Sequence, residues 1–155
     1  MPSDPSRHRT TAAPARSQDP GWNLVFASWL IAASSTLGAL FFSEVMELPP
    51  CVLCWYQRIF MFPLALLLPF GLFPFDPRVV RYALPLSAVG WPIALFHVLL
   101  THGWIPESIK PCAQGVPCAL NQLELFGFLS IPLLSLVAFS AVNALLLVAH
   151  YKGSK

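Results

Sequence analysis

Four long stretches of this chain are almost free of charge, and that feature limits its fold more than any other. Trp22–Phe42, Tyr82–Leu100 and Leu125–Ala149 contain no Asp, Glu, Lys or Arg, and Cys51–Phe75 contains only Arg58. Crossing the hydrocarbon core of a bilayer as a helix takes about 20 apolar residues, and each stretch has 19 or more. The runs are continuous and lack the alternation of a membrane barrel, so helices that satisfy their own backbone are the expected form. The composition agrees: 56% of residues are hydrophobic and 10% charged, against about 25% charged in soluble domains. We therefore expect an all-α, integral membrane four-helix bundle with spans near 22–42, 51–75, 82–100 and 125–149. At 155 residues the chain has room for one such unit. It would occupy 21–151, after a Pro/Ser/Thr/Ala-rich tail (1–20) whose composition reads as disordered and before a short tail (152–155).

The placement of positive charge predicts orientation. Arg7, Arg9 and Arg16 precede the first span, Arg78 and Arg81 lie between the second and third, and Lys152 and Lys155 follow the fourth. The first and third connections hold only Lys110, beside Glu44, Glu47, Glu107 and Glu124. Both termini are thus expected in the cytoplasm, with the first and third connections outside. A net charge of +2 with no basic stripe gives no footprint for nucleic acid. Ala32-Ala33-Ser34-Ser35 could suit signal-peptide cleavage. That apolar run is longer than a usual signal core, however, and its loss would leave the tails on opposite sides.

All four cysteines fall in the two outward connections or at their edge. Cys51 and Cys54 form C-x-x-C, and Cys112 and Cys118 form C-x5-C. On the outer side of a bacterial membrane disulfides persist. Four cysteines allow three pairings, and the short spacings favour local closure as Cys51–Cys54 and Cys112–Cys118. A C-x-x-C loop is too short to restrict an unfolded chain much, which argues against a staple and for redox chemistry. A zinc site of four thiolates is the other reading, with unusual spacing at the second pair. Pro49-Pro50 suits a helix start, placing Cys54 in the opening turn of the second span, where free N–H groups favour a thiolate. Cys112 and Cys118 flank the turn-rich Ala113-Gln114-Gly115-Val116-Pro117. One pair is thus expected at the membrane surface and the other in an aqueous loop, an arrangement suited to a thiol–disulfide electron relay.

Arg58 lies one helical turn beyond Cys54. It could snorkel to the interface, or it could favour the Cys54 thiolate and hold an electron-rich acceptor. Tyr56 and Gln57 add hydrogen-bonding groups nearby. No dinucleotide-binding glycine pattern or C-x-x-C-H is present, so the acceptor is expected in the lipid, and a quinone meets that need. His97, near the outward end of the third span, could relay a proton or bond a ring oxygen, or could be satisfied by a neighbouring carbonyl. His102 reads as a solvated loop residue. Pro63, Pro69, Pro85, Pro92 and Pro132 are expected to bend the spans.

Pro50-Cys51-Val52-Leu53-Cys54-Trp55-Tyr56-Gln57-Arg58 resembles the signature of the DsbB family of disulfide bond formation proteins, and most closely its BdbC-type branch. Pro111-Cys112, Cys118 and Phe126-Gly127-Phe128-Leu129-Ser130-Ile131-Pro132 extend the resemblance to the last span. It implies a thiol oxidase of the bacterial inner membrane that reoxidises a DsbA-like thioredoxin-fold partner and passes two electrons to ubiquinone or menaquinone. By position, Cys112 would receive the partner's thiolate and Cys118 would exchange with Cys51. Cys54 would face the quinone, and Arg58 would hold its ring. The close spacing of Cys112 and Cys118 departs from the widely spaced pair of the enterobacterial type. Two further readings fit four spans with paired cysteines: a vitamin K epoxide reductase-like relay, whose C-x-x-C sits on the last span of its core, and a non-enzymatic metal-binding membrane assembly factor.

Overall fold

A computed structural model describes residues 20–105 and 130–153. The tail up to residue 19, the segment 106–129 with Cys112, Cys118 and their expected pairing, and residues 154–155 lie outside the described residues. Four helices follow in order: α1 (Pro20–Leu40), α2 (Val52–Leu72), α3 (Val79–Thr101) and α4 (Ile131–Gly153). Each packs on its neighbours in sequence, and α4 closes the ring on α1. All four are long and apolar enough to cross a membrane. Their outer faces stay hydrophobic, with Leu37, Leu66, Phe70 and Val137 exposed. Apolar residues on every face of a helix are what lipid rather than water requires.

The interior is built from residues that let backbones approach. Val25, Ala32, Leu64, Leu68, Ala83, Ala94, Phe139, Val142 and Leu146 are fully enclosed. Gly90 is required by packing: a Cβ there would run into the Phe139 ring, and one at Gly71 would run into Val79. Small residues of this kind are how membrane helices gain dispersion contacts when lipid gives them no hydrophobic drive to associate.

Polar groups inside the bundle pin helix to helix. Pro69 has no N–H for the Ala65 carbonyl one turn earlier, and the Trp29 indole of α1 donates to that carbonyl at 3.1 Å. The Asn143 amide of α4 donates to the Ser87 carbonyl of α3 at 3.1 Å. On the outer face, Trp91 Nε1 of α3 donates to Ser140 Oγ of α4 at 2.9 Å.

Helix ends fix the position of the site. Past Leu40, α1 widens into a π-helical turn, Phe41–Val45, closed by Met46 N–H on the Phe41 carbonyl. The chain then reverses through Glu47, whose φ is +52°, and Pro49-Pro50. α2 stops at Leu72, short of the expected Phe75, where the chain turns through Phe73-Pro74. α4 begins at Ile131 with Pro132 in its first turn, a position where a missing N–H costs nothing. Short connections make α1, α2 and α3 antiparallel in turn, and the pairs Ser87–Asn143 and Trp91–Ser140 run α4 antiparallel to α3. The end of α1, the start of α2, the end of α3 and the start of α4 therefore share one end of the bundle.

Candidate functional site

Cys51 is the N-cap of α2. Its backbone is extended (φ −69°, ψ 166°), as an N-cap requires, and in that conformation its side chain turns back over the first helical turn. Its Sγ accepts the Cys54 N–H at 3.3 Å. Cys54 Sγ lies 2.7 Å from Cys51 Sγ, with the two sulfurs not bonded to each other. The N–H that the helix start offers to a sulfur thus goes to Cys51, whereas the sequence suggested Cys54. The reason is positional: an N-cap side chain faces the free N–H groups, while a side chain at the third helical position points away from them.

His97 completes this cluster from α3. Its ring is 1% exposed, with Nε2 3.8 Å from Cys51 Sγ and Nδ1 3.1 Å from Gln57 Nε2. With the Gln57 amide donating to Nδ1, the ring carries its proton on Nε2 and directs it at Cys51. Hydrogen bonding from the Cys54 thiol holds the Cys51 thiol well below its ordinary range; burial opposes the shift, and His97 adds to it. Leu53, Leu100, Phe96 and Ile105 pack around the pair and keep Cys51 almost wholly from solvent.

Arg58 points elsewhere. Its Nη2 donates to the Ala39 carbonyl of α1 at 2.8 Å, near the carbonyl-rich end of that helix, where a cation is favoured. The guanidinium also lies 5.3 Å from the Trp55 ring centre and 6.0 Å from that of Phe62, within cation–π range. It is therefore held by protein groups rather than extended along the helix to open water. Tyr56 is exposed on the outer face and His102 is exposed at the end of α3.

Beside the thiols lies a cleft of about 520 Å³. Ile31, Ser34, Ser35 and Gly38 of α1 form one wall, and Ile131, Leu134, Ser135 and Ala138 of α4 form the other. Cys51, Cys54, Gln57, Arg58 and His97 cluster at one end, so a long apolar groove ends in a small polar group. A Cβ on Gly38 would meet nothing within 4 Å, so the cleft, and not a packed neighbour, lies in front of it. Size and lining are those of a site for a mostly apolar small molecule with a few polar atoms at one end. The C-x-x-C signalled the thiols. Nothing in the sequence signalled that α1 and α4 would wall the cleft, or that Ala39 would receive Arg58.

Comparison with known proteins agrees with this arrangement. The family model described as "Disulfide bond formation protein DsbB" matches residues 21–149. A protein of Metapseudomonas resinovorans named "Probable disulfide formation protein" is 48% identical over 82% of this chain and 89% of its own length. "Disulfide bond formation protein C" of Bacillus subtilis is 42% identical over 84% and 94%. A "Probable disulfide formation protein" of Deinococcus radiodurans is 44% identical over 79% and 85%. No solved structure matches the chain. The chain belongs to the DsbB family of disulfide bond formation proteins.

Proposed function

We propose that this member of the family is a quinone-linked thiol oxidase that reoxidises an extracytoplasmic, DsbA-like thioredoxin-fold partner. The observation that carries the reading is the Cys51–Cys54 dithiol at the polar end of a groove that is otherwise apolar. Oxidising a dithiol to a disulfide releases two electrons and two protons, and a quinone bound in the cleft would supply an acceptor for both. The groove fits such a molecule on its own chemistry: an apolar trough for rings and tail, with Arg58 and the thiols at one end. Ubiquinone and menaquinone both meet this description.

In this reading the partner's thiolate attacks the Cys112–Cys118 disulfide and bonds to Cys112, releasing Cys118. Cys118 then attacks Cys51 Sγ in the Cys51–Cys54 disulfide, and Cys54 leaves as a thiolate beside the cleft. Each step replaces one S–S bond by another and moves one negative charge between sulfurs. His97 would steady charge on Cys51 through its Nε2–H, and Gln57 would hold the ring in that tautomer. Arg58 would stand at the cleft's polar end as the fixed cation toward a ring oxygen. The enzyme would sit in the bacterial cytoplasmic membrane with both termini inside and both cysteine pairs at its outer face.

The test is quinone reduction by purified protein given a reduced thioredoxin-fold oxidase. Cys54→Ser is expected to abolish electron transfer to quinone while leaving exchange at Cys112–Cys118. Quinone reduction at the normal rate by Cys54→Ser would refute the assignment.

A further inference from the structure

The dithiol and its histidine have a second chemical capacity, independent of any quinone. Cys51 Sγ, Cys54 Sγ and His97 Nε2 all lie within 4.8 Å of one another. In a tetrahedral zinc site, Zn–S bonds of about 2.3 Å and Zn–N bonds of about 2.0–2.1 Å put ligand atoms about 3.5–3.8 Å apart. Cys51 Sγ and His97 Nε2 already stand 3.8 Å apart. The two sulfurs, at 2.7 Å, need to spread by about 1 Å, which side-chain rotation at Cys54 can supply. We propose that the reduced Cys51–Cys54 pair, with His97, forms a three-ligand site for a thiophilic cation of the Zn²⁺ type, and that occupancy holds the enzyme in its dithiol state.

The surroundings are those of a metal site. A ligating histidine has its other ring nitrogen fixed by a hydrogen bond, and Gln57 provides one at Nδ1. Binding needs a free lone pair on Nε2, so Nδ1 must carry the proton. A half-turn of the Gln57 amide presents its carbonyl oxygen to Nδ1–H and satisfies this requirement, so Gln57 can serve either tautomer. His97 is 1% exposed and Cys51 2%, while Cys54 borders the cleft. The fourth position would therefore open toward the cleft, where water or a small anion can complete the tetrahedron. This is a Cys₂His set, distinct from the four-thiolate arrangement that the sequence suggested as an alternative.

The balance is simple. The dithiol binds one divalent cation through two thiolates and neutral His97, and the thiol protons pass to solvent. No electrons move. The disulfide has no thiolate to offer, so the cation discriminates between redox states and competes with every step that needs a free Cys51 or Cys54 sulfur.

The experiment uses the full chain in lipid nanodiscs as the Cys112→Ser/Cys118→Ser variant, which leaves only the pair in question. Zn²⁺ is titrated into reduced and into oxidised protein, and Co²⁺ is used as a spectroscopic probe. The expected result is one ion per reduced chain, a sulfur-to-cobalt charge-transfer band with tetrahedral visible absorption, and no binding to the oxidised chain. His97→Ala should weaken binding at least tenfold, and Gln57→Leu about 10-fold or more, as outer partners of metal ligands do. Should His97→Ala fold poorly, zinc X-ray absorption on the parent variant decides the matter, with two sulfurs, one imidazole nitrogen and one further ligand from water or a small anion expected. Equal binding in both redox states, a six-coordinate cobalt spectrum, a nitrogen-free coordination shell, or unchanged affinity in folded His97→Ala would overturn the proposal. None of these measurements involves quinone, so their outcome is separable from that of the oxidase reading.

Discussion

The chemistry of this chain depends on which sulfur holds the charge. Cys51 accepts from the Cys54 N–H, lies beside the Cys54 thiol and faces His97 Nε2. These donors favour its thiolate, so its pKa falls, and a lowered thiol pKa means the reactive form is already present at neutral pH. In the reduced Cys112→Ser/Cys118→Ser variant, alkylation by a small neutral reagent should be nearly flat with pH across the neutral range. Adding Cys54→Ala should make the rate climb with pH, because the donor that lowers the Cys51 thiol most is lost. A mass-spectrometric alkylation series checks both curves. Arg58 allows a second residue-scale test. Arg58→Ala should raise the apparent quinone KM more than Arg58→Lys does, because lysine keeps the charge but not the planar fork. Equal, wild-type kinetics in both variants would confine Arg58 to its bond with Ala39.

At the scale of elements, close approach of α3 to α4 and repair of broken helix backbone hold the bundle together. Phe139 occupies the space that a side chain at position 90 would need, and Asn143 and Trp91 pin the same pair of helices. Gly90→Ala should destabilise the protein by about 1–3 kcal/mol, the usual cost of overpacking. Phe139→Leu in the same chain should restore part of that loss. Thermal unfolding in detergent measures both, and a simple sum of the two single effects would show that the residues do not compete for space. The helices themselves were legible because charge-free runs are a property of each segment alone. Their ends were less so. Whether α2 stops at Leu72 or Phe75 depends on how the chain turns through Phe73-Pro74, and the run stays apolar up to Asp76.

At the scale of the whole molecule, the antiparallel ring places the ends of α1 and α3 beside the starts of α2 and α4. The C-x-x-C and the position of Arg58 one turn later could be read from local spacing. The contact of His97 with Cys51, 46 residues away, could not, because it depends on how far α3 slides along α2. The cleft was hidden for the same reason: its walls come from α1 and α4, the first and last helices of the ring. Topology gives the last prediction. A membrane-impermeant thiol reagent should reach a single cysteine placed at Glu47 from outside the cell, in a chain otherwise free of cysteine. One placed at Asp76 should react only after the membrane is opened. The reverse pattern would invert the proposed orientation and remove the oxidising compartment from the cysteine pairs.

The bond from Arg58 to the Ala39 carbonyl has a consequence for recognition. A free arginine side chain carries about 2 kcal/mol of rotamer entropy, and a ligand that recruits one from solution must quench that freedom as it binds. Here the quenching happens during folding. One Nη is committed to α1, the plane is braced by Trp55 and Phe62, and donors beyond the one used remain, since a guanidinium has five. A molecule arriving in the cleft meets a cation whose disorder is already gone. Even a weakly polar ring oxygen would then gain from the contact with little loss to set against it.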